Sequence, residues 1–77
     1  MLDGERLRMR RLQLRLSQER LGEMIGQNQG YISRLERGDL KEITVTTLSK
    51  IVRALHVSAD YLLGFSDKME SLLAPAA

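Results

Sequence analysis

Between Gln29 and Arg37 the segment QGYISRLER spaces its polar side chains so that they share one helical face. At 100° per residue, with Gln29 at zero, Ser33 falls at about 40°, Arg37 at about 80°, Gly30 at about 100° and Arg34 at about 140°. Ile32 and Leu35 fall at about 300° and 240°, on the opposite side. The outward arc thus holds two side chains suited to reading base edges, with small residues between them. A Gln amide can pair with N6 and N7 of adenine, and an Arg guanidinium can fork onto O6 and N7 of guanine in a major groove. Gly30 and Ser33 would let such a helix sit deep in the groove. Asn28 can cap the helix, whose N-terminus then points partial positive charge at a phosphate.

Other chemistries have little to draw on. The 77 residues contain no cysteine, which excludes disulfides and thiolate metal sites. One histidine, His56, cannot make a His-rich metal centre. No nucleophile–base constellation is present, so the chain is expected not to be an enzyme and to need neither metal nor cofactor. With 4% aromatics and no Trp it is a poor candidate for stacking single-stranded bases. No apolar run approaches ~18 residues, so no membrane span is expected. The arginine-rich start, Met1 to Leu16, lacks the apolar core and cleavage site of a signal peptide, which makes the cytoplasm the expected compartment. The net charge of +2 is uneven: residues 1–41 carry nine Lys/Arg against six Asp/Glu, residues 42–77 three against four. That excess fits a polyanion partner and equally fits a solvated face.

The apolar spacing that must position the arc is helical nearly throughout, most clearly at Leu48, Ile51, Val52 and Leu55. Punctuation divides the chain into five helices. Asp3 caps the first, running to about Leu14. Ser17 caps the second, which Gly26 ends. Asn28 caps the third, which runs through Arg37 to a stop at Gly38. A loop from Asp39 to Ile43 leads to Thr44, the cap of a fourth helix reaching about His56. Ser58 caps a short fifth, followed by Gly64. The expected architecture is a compact all-α domain over residues 1–64, with a tail over 65–77. Within Ser17 to Gly38, two short helices joined by a turn containing Gly26 form a helix-turn-helix. Leu21, Ile25, Ile32 and Leu35 are spaced to pack them together. Gly22 costs ~1 kcal/mol relative to Ala inside a helix, which makes sense if the third helix crosses closely there.

These residues carry a resemblance: Leu16-Ser17-Gln18, Leu21, Ile25-Gly26, the run Tyr31 to Gly38 and the run Ala54 to Gly64. Over roughly residues 5–64 the sequence is similar to the Cro/phage-repressor helix-turn-helix family, also called lambda-repressor-like or XRE-like. The resemblance implies five helices, homodimeric binding to a pseudo-palindromic double-stranded DNA operator, and transcriptional control. By position it implies that Gln18 bonds a backbone phosphate. Asn28, Gln29, Gly30, Ser33 and Arg34 fall where the family reads bases, Asn28 also lying at the phosphate-facing helix start. Arg37 and the following loop, with Lys41, fall on phosphate, and Arg11 with Glu36 matches an internal ion pair between the first and third helices. Three positions depart from the pattern: Gly30 lacks a usual contact side chain, Gly22 replaces an alanine, and His56 stands where glycine is usual.

Tyr31 is expected to pack against the core and His56 to be exposed at a helix end. Phe65, Met69, Leu72 and Leu73 share a face if the tail is helical, and a dimer contact there is favoured over folding back onto their own core. The chain resembles Cro-like repressors and restriction–modification controllers, or the N-terminal domain of a longer repressor, which the alanine-rich end permits. The alternative is an antitoxin or protein-interaction module of the same fold, binding a toxin or other antagonist.

Overall fold

Five short helices form because each start has a side chain that satisfies its otherwise orphaned amides. The structure, a computed structural model, describes residues 2–40 and 42–69. Helix α1 spans Gly4–Gln13, α2 Gln18–Ile25, α3 Gln29–Arg37, α4 Val45–Leu55 and α5 Ala59–Leu62. The side chain of Asp3 accepts from the Glu5 and Arg6 amides, Ser17 from Arg20, Asn28 from Tyr31, Thr44 from Thr47 and Ser58 from Tyr61. All five expected caps are in place, each contributing about 1 kcal/mol. Gly26 and Gly38 end α2 and α3 in the left-handed region, with φ of 74° and 82°. Among the described residues the fold is all-α, with no strand.

The core takes at least one fully buried side chain from every helix: Leu7, Leu21, Ile32, Leu35, Ile51, Leu55 and Leu62. Burying each such side chain stabilises by roughly 1.5–3 kcal/mol. Leu48 and Val52, on the edges of the α4 stripe, are half-buried against this core. Helix α2 packs on α3 and α4, while α1 packs on α3 and α5. Gly4 makes the α1–α3 approach possible: a methyl added there would run into the Leu35 and Glu36 carbonyls. Nothing in the sequence pattern marked Gly4 for that role.

His56 ends α4 as an exposed residue, as expected, and takes the left-handed conformation, φ 54°, although it is not glycine. Arg10 Nε donates to the Leu55 carbonyl at 2.8 Å, tying α1 to that helix end. The described part of the tail is not helical and does not leave the domain at Gly64. Arg6 Nη1 donates to the carbonyls of Tyr61 at 3.0 Å and Ser66 at 2.6 Å, and Nη2 reaches Asp67 Oδ1 at 2.6 Å. The Arg6 guanidinium also lies 4.6 Å from the centre of the Tyr61 ring. The Ser58 amide donates to the Met69 carbonyl at 2.6 Å, which brings Met69 back onto the core. Arg6 and Ser58 thus draw the tail inward, so Met69 faces its own chain and shares no exposed stripe with Phe65, which is 77% exposed. Leu72 and Leu73 lie outside the described residues.

Candidate nucleic-acid interface

The α2–turn–α3 unit is built from the inside out. Leu21, Ile25, Ile32 and Leu35, each at most 2% exposed, lock the two helices to each other and to the core. Gly22 lets the turn close: a Cβ there would sit 2.7 Å from the Gln27 carbonyl oxygen and 3.1 Å from the Asn28 carbonyl carbon. The close approach is therefore made by the backbone leading into α3 rather than by the body of that helix.

This packing decides which side of α3 faces outward. Asn28, Gln29, Gly30, Arg34 and Arg37 are exposed and Ser33 is half-buried between them. Asn28 Oδ1 accepts from the Tyr31 amide at 2.8 Å, so its NH2 group is left to donate outward. A Cβ at Gly30 would meet only Asn28 Oδ1, at 3.5 Å, so the surface there is open to a close-approaching ligand. Tyr31 packs against the core. Among the described residues no carboxylate pairs with Arg34, whereas Arg37 Nε donates to Asp39 Oδ2 at 3.0 Å. Lys41 lies outside the described residues.

Behind this face sits a polar series that joins three helices. Arg11 and Glu36, 7% and 8% exposed, form a two-point pair: Arg11 Nε donates to Glu36 Oε2 at 2.6 Å and Nη2 to Oε1 at 3.0 Å. Gln18 Nε2 donates to Glu36 Oε1 at 3.1 Å. Gln29 Nε2 donates to Gln18 Oε1 at 2.7 Å. Gln18 is thus engaged within the protein at both ends of its amide, and one Nε2 hydrogen remains for an outside acceptor. The two glutamines stand 11 residues apart on different helices, a separation that no periodic pattern signals.

The arrangement suits a polyanion with readable edges. Two arginines and two primary amides project from one face, and the one acidic side chain of α3 is turned inward and neutralised by Arg11. Among the described residues no group of three or more His, Cys, Asp or Glu could hold a metal ion, and no helix is long and apolar enough to cross a membrane.

Comparison with known proteins agrees with this geometry. A family model described as helix-turn-helix matches residues 7–62. The repressor protein C2 of Salmonella phage P22 is 42% identical over 62 residues, which cover 80% of this chain and 28% of that protein. The chain therefore spans less than a third of that relative's length. A crystal structure of the P22 c2 repressor with synthetic operator 9T superposes with a TM-score of 0.78 at 38% identity, covering 86% of this chain and 98% of that one. The biofilm regulator SinR, from Bacillus subtilis, solved in complex with DNA, gives a TM-score of 0.73 at 30% identity, covering 78% of this chain and 95% of that one.

Proposed function

The chain belongs to the helix-turn-helix family, with a repressor-like DNA-binding fold, and from that premise we propose that it binds a double-stranded DNA operator sequence-specifically and regulates transcription. The observation that carries this reading is the exposed Gln29 amide, held by Gln18 at 2.7 Å, on the same open face as Arg34. Helix α3 enters the major groove, Gln29 pairs with adenine and Arg34 forks onto guanine. Ser33 and Gly30 allow the close approach. Gln18, Asn28, Arg37 and Lys41 contact phosphates, which set register and supply most of the non-specific affinity. The protein then works in the compartment that holds the DNA.

Binding is by a homodimer on a pseudo-palindrome, with half-sites ~34 Å apart on one side of the duplex. With Met69 turned to its own core, Phe65 is the described tail side chain left for a second copy. Selection of the purified protein against a randomised duplex library at ~0.15 M salt tests the whole reading. A two-fold symmetric motif with half-sites about one turn apart is expected. Recovery of no enriched motif would overturn it and favour the protein-interaction module instead.

A further inference from the structure

Arg11, Glu36, Gln18 and Gln29 form one hydrogen-bonded series that runs from the buried α1–α3 contact to the exposed face of α3. Glu36 Oε1 is shared, accepting from Arg11 Nη2 at 3.0 Å and from Gln18 Nε2 at 3.1 Å. Arg11 Nη1 also donates to the Leu16 carbonyl at 2.8 Å, next to the Ser17 cap of α2. One guanidinium thus holds both the entry to α2 and the carboxylate on α3.

The series has a direction. A side-chain amide can turn over and exchange its donor for its acceptor, whereas a carboxylate paired with Arg only accepts. Facing Glu36, Gln18 must turn its NH2 group inward and therefore offers Oε1 to Gln29. Gln29 must then turn its own NH2 group toward Gln18. That leaves Gln29 Oε1 and its second N–H facing outward in one fixed order. A two-point contact with adenine needs one donor and one acceptor in a fixed order along the base edge. With Arg11 and Glu36 both over nine-tenths buried, water does not compete at the inner end.

We infer that Arg11 and Glu36 are positioning residues for base reading: acting through Gln18, they set the orientation of the Gln29 amide and so the base it accepts. This inference rests on the duplex-DNA reading above.

The test couples the protein to one base atom. The adenine read by Gln29 is the operator position whose preference disappears in Gln29→Ala. Replacing it with 7-deazaadenine, which lacks the N7 acceptor, should weaken wild-type binding by about five-fold, the worth of one hydrogen bond. In Arg11→Met/Glu36→Met, which removes the pair without stranding a charge, that penalty, read as the ratio of affinities for the two operators within the same variant, should fall below about two-fold. Arg11→Lys keeps Glu36 as an acceptor and should keep the penalty. Unfolding curves establish which variants are folded. If the Met pair does not fold, Arg11→Met/Glu36→Gln keeps the bulk but allows the amide at 36 to turn over, and it too should lose the penalty. A full penalty in either folded double variant refutes the inference. A wild-type protein indifferent to 7-deazaadenine would instead show that the base reading by Gln29 is wrong, and the inference would fall with it.

Discussion

Removing the carboxylate of Glu36 should be the most damaging single change to this domain that leaves its apolar core intact. In Glu36→Ala, Arg11, 7% exposed in the intact pair, would keep the Leu16 carbonyl as its surviving partner, and Gln18 would lose its acceptor. Stranding a buried charge in this way costs about 3–5 kcal/mol. A chain of 77 residues has a total stability of about 4–12 kcal/mol, so the loss is about a quarter of it or more. The melting temperature should fall by more than about 12 °C, at about 4–8 °C per kcal/mol. The assay is urea unfolding followed by helical circular dichroism, with an unchanged slope confirming that the same surface is exposed. Arg11→Met/Glu36→Met should recover most of the loss, because neither charge is then left alone. Arg20→Ala, which breaks the exposed pair to Glu23 at 3.4 Å, is the control and should cost under about 0.5 kcal/mol. If Glu36→Ala also cost less than about 1 kcal/mol, the pair would be behaving as a solvated surface contact, and the reasoning from burial would be wrong.

The same geometry sets the remaining expectations. Gly4→Ala should destabilise by about 1–3 kcal/mol, since the methyl meets backbone carbonyls of α3 that cannot swing aside; thermal melting checks this, and an unchanged midpoint would contradict it. His56→Gly should stabilise by about 0.5–1 kcal/mol by relieving a left-handed residue at φ 54°, read from the same melts. Arg34→Ala should reduce affinity for the selected operator by about 1–3 kcal/mol and random-duplex affinity by less; equal losses would reduce Arg34 to a phosphate contact. Arg37→Ala should weaken both alike and shallow the salt dependence, while Asp39→Asn, which frees Arg37 from its 3.0 Å partner, should tighten random-duplex binding. A salt slope that does not change in Arg37→Ala would take that residue out of the interface.

The sequence by itself determined what is decided within a few residues along the chain. Asp3, Ser17, Asn28, Thr44 and Ser58 each bond amides two or three positions ahead, so all five helix starts could be read from side-chain type. Gly26 and Gly38 marked helix ends because left-handed backbone costs a glycine nothing, and the end at His56 was less marked because the residue there carries a side chain. The polar arc of α3 was legible from a repeat of 3.6 residues, since the apolar side had to be the buried one. Tertiary structure decided what depends on segments far apart in the chain. It set Gly4 against the α3 carbonyls, and it let Arg6 reach Asp67 across 61 residues and draw the tail inward. It also joined Gln29 to Gln18, and Gln18 to the Arg11–Glu36 pair, so that an amide the sequence shows only as exposed and polar is held in one orientation. Caps and periodicity act through the local backbone and leave a pattern, whereas a side chain's partner across the fold is chosen by packing, which brings distant positions together without regular spacing.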